Sequence, residues 1–215
     1  MDIPLTIRET QQGLISKKYS AVELVDNYFE RINKYNKDFN IFLTITEDEA
    51  YKKAKWADKI LSDKDIKILS DFPLLGVTVA HKDLFLTKGV RTTAGSKVLE
   101  SYVPQYSATV VERMNKAGAI MLGKVNCDAW AHGSSGENSD FRRTLNPWNK
   151  DYVSGGSSSG SAAALSANMS LVSTGTDTCG SIRLPANFNY LVSLKPTYGV
   201  VSRYGVVAMA SSLDS

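Results

Sequence analysis

The chain is poor in the residues that staple or ligate: among 215 positions there are two cysteines, Cys127 and Cys179, and two histidines, His81 and His132. Cysteines 52 positions apart (179 − 127) form neither a CxxC pair nor a disulfide framework, which suits a reducing compartment and implies no structural zinc. Net charge is scarce too. With 25 Lys+Arg against 22 Asp+Glu the balance is +3, so electrostatics give no footprint for nucleic acid, and an RNA partner has to be reached by another route. No apolar run approaches the roughly 18 residues needed to span a bilayer. The opening Met1-Asp2-Ile3-Pro4-Leu5, with Glu9 and Gln11 close behind, has neither the basic start nor the apolar centre of a signal peptide. These absences predict a soluble cytoplasmic protein that starts at Met1. What is there, 43% hydrophobic and 22% charged residues, is an ordinary globular composition that excludes collagen-like and disordered chains.

Charge is distributed unevenly: residues 1–70 carry 24 Asp, Glu, Lys and Arg, residues 154–215 only 5. The first part reads as solvated amphipathic helices. Ser20 with Glu23 forms a capping box ahead of Leu24, Val25, Tyr28, Phe29, Ile32 and Tyr35 at helical spacing, and a second box, Thr46 with Glu49, opens Ala50–Leu61. From Pro73 short apolar runs alternate with helical stretches. Strands are predicted at Leu74–Ala80, Ala119–Val125, Leu171–Thr174 and Leu191–Leu194, and helices at Thr109–Lys116 and Ser161–Met169. That alternation marks an α/β fold built from crossover units. Residues 1–70 are read as a helical layer and 71–215 as the part bearing the site, both in one domain.

The segment Gly155-Gly156-Ser157-Ser158-Ser159-Gly160-Ser161 admits several readings. Glycines before a helix cradle phosphate, but position 161 is serine where a nucleoside-triphosphate loop needs lysine. Residues 156–160 also satisfy GxSxG, yet both histidines precede Ser158, so the Ser…Asp…His order of an α/β-hydrolase cannot be assembled, and no SxxK motif occurs. A flexible Ser/Gly linker is the plain alternative. Against it stands a second glycine-bearing turn, Gly175-Thr176-Asp177-Thr178-Cys179-Gly180-Ser181-Ile182-Arg183, after a predicted strand. A serine nucleophile here needs a base, and a lysine made neutral by burial can serve. Lys82 ends the apolar run from Leu74; the alternative is an exposed lysine at a strand end.

The two serine-bearing segments, together with His81-Lys82-Asp83 upstream, resemble the amidase signature family, and the resemblance runs from about Ser20 to Ser215. It implies the amidase signature fold, a central mixed sheet flanked by helices, and a Ser–cis-Ser–Lys triad that hydrolyses amides. The matching positions are Lys82, Ser157 and Ser181, with backbone N–H groups of Thr178, Cys179, Gly180 and Ser181 as the oxyanion hole. Within the family, three further stretches are similar to the branch that forms the A subunits of glutamyl-tRNA(Gln) amidotransferases: Gly133–Ser139, Asn146-Pro147-Trp148, and Lys195–Gly205 with Ala210–Asp214. That likeness implies glutamine hydrolysis in a complex with B and C subunits, ammonia delivery to the B partner, and tRNA contacted only through that partner. The ATP and Mg²⁺ of the overall reaction then belong to the partner, with no cofactor or metal in this chain. A stand-alone amidase and a non-catalytic remnant are the rival readings.

The sequence departs from the family pattern at Cys179 and Ser159, where glycine is common, at Leu84, where asparagine is usual, and over Asp128–His132. Cys179 is an alternative nucleophile, and His132 is read as a pocket-wall or core residue. Family members run on through roughly as much chain again, so this sequence is read as part of a longer domain with little glutaminase activity in isolation.

Overall fold

The computed structural model describes residues 3–62 and 68–215; the start at Met1-Asp2 and residues 63–67 of the N-terminal layer lie outside the described residues. Helix α1 (Ile7–Ile15) opens with a capping box, Thr6 with Glu9, that the sequence reading does not include. The box at Ser20 and Glu23 forms as predicted and starts α2 (Ala21–Phe39), whose Leu24, Val25, Tyr28, Phe29 and Ile32 are buried while Tyr35 is half-buried. Asn40 in the left-handed region ends α2 and turns the chain into β1 (Phe42–Ile45), a short strand absent from the sequence prediction. Helix α3 (Glu47–Ser62) follows Thr46, whose hydroxyl donates to the Met121 carbonyl at 3.1 Å, and the short α4 (Ile68–Asp71) comes next.

The run from Leu74 becomes a turn first and a strand second: β2 is Thr78–Lys82, four residues later than predicted, because residues 73–76 are spent on a turn with Gly76 at positive φ. Helix α5 (Thr109–Lys116) and β3 (Ile120–Val125) lie where the pattern put them. Helix α6 (Ser159–Ser166) starts two residues early, β4 is Val172–Thr174, and α7 (Arg183–Phe188) completes the set. The predicted strand at Leu191–Leu194 is not one. Val192 and Leu194 are 99% and 80% exposed, and among the described residues no strand pairs with them.

The four strands form one mixed sheet in the order β1-β3-β2-β4, with β3, β2 and β4 parallel and β1 antiparallel to β3. A single cluster of buried side chains runs from α2 and α3 (Leu24, Tyr28, Ile32, Ala54) through the sheet (Ile120, Leu122) to α6 (Ala163, Ala164). Each large apolar side chain so buried contributes about 1.5–3 kcal/mol of transfer free energy. The Ser/Gly stretch is no linker: Ser154 through Ala164 are all buried. Helix α6 is built of small residues apart from Leu165 because it lies directly on backbone. At Gly160 a Cβ would sit 2.5 Å from the Asn126 nitrogen, and the Gly160 N–H donates to the Asn126 carbonyl at 3.0 Å.

Candidate active site

Parallel strands β2 and β4 both end at the same edge of the sheet, the edge at which open α/β sheets gather their functional groups. The last residue of β2 is Lys82, fully buried. Its Nζ lies 2.7 Å from Ser157 Oγ, 2.9 Å from Ser158 Oγ and 2.8 Å from Thr176 Oγ1. Burial holds this amine well below the ordinary lysine range, at about 8, although the carboxylates of Asp128, Asp177 and Asp214 pull the other way. Ser157 and Ser158 are delivered by the turn that enters α6, where the Gly156–Ser157 peptide is cis. The surrounding packing leaves that turn little room: a Cβ at Gly156 would overlap the carboxylate of the fully buried Asp128. Asp128 accepts from the N–H groups of Asn138 at 2.8 Å and Gly136 at 3.2 Å, and Gly156 N–H donates to the Ser134 carbonyl at 2.7 Å. The Gly133–Ser139 stretch is thereby packed behind the two serines.

The second turn, between β4 and α7, is organised by Asp177. Arg183 donates to its carboxylate from Nε and Nη2, both at 3.0 Å, and Gly180 N–H at 2.7 Å. Burial alone would raise this carboxyl, but the Arg183 pairing and the backbone donors outweigh it and hold it at about 2. Ser181 is buried and meets the other serines through the main chain, its carbonyl accepting from Ser158 N–H at 3.2 Å. Among the described residues its Oγ makes no hydrogen bond to Ser157, so the lysine, Ser157, Ser158 and Thr176 are in direct contact and Ser181 joins them through its carbonyl. Gly180 N–H, one of the expected oxyanion donors, donates to the Asp177 carboxylate at 2.7 Å in this structure. Among the described residues, the N–H groups of Thr178, Cys179 and Ser181 have no such partner. A groove of about 800 Å³ opens beside the turn, its lining including Ser158, Thr176, Ile182, Phe85, Tyr204 and Val206.

His132 is exposed, its Nδ1 2.8 Å from the Trp130 carbonyl, and is neither core nor a groove wall; the 129–131 turn throws it outward. His81 is buried on β2 with Nδ1 3.2 Å from Thr174 Oγ1, and burial followed by the nearby Lys124 pushes it down to about 3, so it is neutral. Cys179 is exposed on the turn and Cys127 buried. Ser158 enters the sequence reading only as the GxSxG serine and an alternative nucleophile, and Thr176 not as a site residue; the structure makes both lysine partners. For Thr176 the available signal was position alone, two residues before the marked Thr178. Behind Lys82, Asp83 and Lys124 form a fully buried ion pair at 3.1 Å. No group of three or more His, Cys, Asp and Glu side chains able to hold a metal occurs among the described residues.

Comparison with known proteins gives the arrangement its relatives. The family model described as amidase matches residues 23–215. The A subunit of glutamyl-tRNA(Gln) amidotransferase from Acinetobacter baumannii is 49% identical over 98% of this chain and 42% of its own length; that of Geotalea daltonii is 50% identical with the same coverage. Among solved structures, the corresponding A subunit from Thermotoga maritima superposes with a TM-score of 0.83 at 39% identity, over all of this chain and 43% of that one. The peptide amidase of Stenotrophomonas maltophilia gives 0.90 at 33% identity, over 98% and 44%. The chain thus spans about two fifths of the length of the relatives it matches. A match over residues 23–215, and relatives that share the fold and half the sequence, place this chain in the amidase family.

Proposed function

We propose that the chain carries the serine–lysine centre of a glutamine-hydrolysing amidase, the ammonia-supplying component of a tRNA-dependent amidotransferase that works with B and C subunits. The observation that carries this reading is the buried Lys82 amine within 2.9 Å of two serine hydroxyls, in a chain 49% identical to the A subunit of such an enzyme. Three oxygens surround Nζ, and a neutral amine has two hydrogens and one lone pair, so one hydroxyl must donate to it. Ser158 Oγ donates to the Thr176 carbonyl at 3.4 Å and so accepts from the amine, which leaves Ser157 at 2.7 Å and Thr176 at 2.8 Å; the proposed relay runs through Ser157. Ser157 in turn takes the proton of Ser181, once rotation about the Ser181 side chain brings the hydroxyls together, and Ser181 attacks the side-chain amide. Backbone N–H groups of Thr178, Cys179 and Ser181 face the developing oxyanion. The proton returns through the relay to the departing ammonia, and water then cleaves the γ-glutamyl ester on Ser181. ATP and Mg²⁺ act on the B partner in this scheme, and tRNA reaches the chain only through it.

A stand-alone amidase is the second reading, favoured by the superposition on the peptide amidase at a TM-score of 0.90. Both share the serine chemistry and differ in substrate. Mass spectrometry after exposure to glutamine, or to a peptide amide, separates them: an acyl adduct on Ser181 from glutamine that vanishes in Ser181→Ala and Lys82→Ala supports the first. An adduct that persists in Ser181→Ala moves the nucleophile to Cys179 or Ser158.

A further inference from the structure

The stretch 195–214, singled out from the sequence, has no part in the relay above, yet it touches both sides of the site. At one end, Leu86 N–H donates to the Gly205 carbonyl and Val207 N–H to the Leu84 carbonyl, both at 2.9 Å, with a bridge between Phe85 and Val206. These bonds fasten the segment to the residues that directly follow Lys82. At the other end, Asp214 is buried and accepts from Thr178 Oγ1 at 2.5 Å, while the same carboxylate gathers the N–H groups of Met209 (2.9 Å) and Ala210 (3.1 Å). A reciprocal backbone pair, Asp177 N–H to the Ser215 carbonyl at 2.9 Å and Ser215 N–H to the Asp177 carbonyl at 3.0 Å, lies beside it. Residues 205–215 therefore form a strap from the lysine side of the centre to the turn that bears Ser181.

We propose that Asp214 is a positioning residue for that turn, acting through Thr178; the assignment rests on the serine–lysine reading above. Asp177 holds the turn from within, at Gly180, Ile182 and Arg183. No bond from Asp177 reaches the Thr178 side chain, and this is the end that Asp214 holds. Thr178 and Cys179 contribute two of the three N–H groups without a partner, so a swing at this end re-aims the donors without unfolding the core. Asp214 touches neither the reacting hydroxyls nor Lys82; beside its charge, which favours the Lys82 ammonium and whose loss would free more base, it acts by fixing direction. A hydroxyl bonded to a buried carboxylate is charge-assisted, and its loss is expected to loosen the turn about tenfold.

The test uses the whole chain carrying Asp214→Asn, Thr178→Val, and both together. Hydrogen–deuterium exchange of peptides covering 176–183 is expected to quicken about tenfold in each single variant and no further in the double, with peptides from 21–39 unchanged. In parallel, an alkyl fluorophosphonate labels Ser181; its limiting rate is expected to fall about tenfold in the variants while the half-saturating concentration holds, a split that simple destabilisation does not produce. Unchanged exchange in 176–183, or effects that multiply in the double variant, overturns the role of Asp214. A wild-type chain that takes no phosphonate at Ser181 overturns the serine–lysine reading itself, and with it the catalytic meaning of the strap, whatever exchange shows.

Discussion

Lys82 sets a pH limb whose position follows from its surroundings. An amine at about 8 is roughly 10% neutral at pH 7, whereas one at the ordinary 10.5 is about 0.03% neutral, so burial raises the supply of free base about 300-fold. The rate of Ser181 phosphonylation is then expected to climb about tenfold per pH unit from 6 to 7.5 and to level off above 8.5. Stopped labelling across that range, read by fluorescence in gels or by mass, gives the profile. In Lys82→Met the limb should disappear along with most of the rate. The same group ties stability to pH with a definite sign. Its folded value is depressed, so between about pH 8 and 10.5 the unfolded chain binds more protons and stability rises with pH. Below 8 the cost of burying the charge, about 3 kcal/mol, is present in full. A flat profile from pH 6 to 9 at wild-type rates, or a limb that survives unchanged in Lys82→Met, refutes the assignment of Lys82 as the base.

Asp83→Asn leaves Lys124 charged and unpaired in a site with no solvent access, and is expected to cost about 3–5 kcal/mol in urea unfolding; a loss under 1 kcal/mol contradicts the ion pair. Gly156→Ala forces a methyl into the Asp128 carboxylate and is expected to destabilise by about 1–3 kcal/mol and to abolish labelling of Ser181, read by thermal melting and by the probe. Of the two thiols, only Cys179 should react with a chromogenic disulfide in the native state, because Cys127 is fully buried and burial pushes its thiol up to about 12; two equivalents released before unfolding would disagree.

Local signals carried the reading furthest where one physical cause sufficed. The Ser20–Glu23 box and the apolar stripe behind it fixed the start of α2 to the residue, and α5 likewise followed from its pattern. Strand β1 escaped notice because Phe42–Ile45 is four residues long and owes its existence to pairing with β3, a partner about eighty positions away. The reverse holds at Leu191–Leu194, where an apolar run met no strand to pair with among the described residues. At the site, residue types and spacing pointed to Lys82 and the serines, and the structure brings Lys82 to Ser157. Which hydroxyls crowd the amine, and that Gly180 is already engaged, depend on how two turns separated by some twenty residues face one another, and no one-dimensional pattern encodes that.

The close seating of Gly160 on the Asn126 backbone has a mechanical consequence. Helix and strand are too near to slide, so the hydroxyl-bearing bend ahead of the helix can pivot its side chains but cannot travel. Molecules entering the groove therefore meet a fixed anvil, and Phe85 and Val206, bridged to one another and flanked by the bonds at Leu86 and Val207, hold their part of its lining equally still.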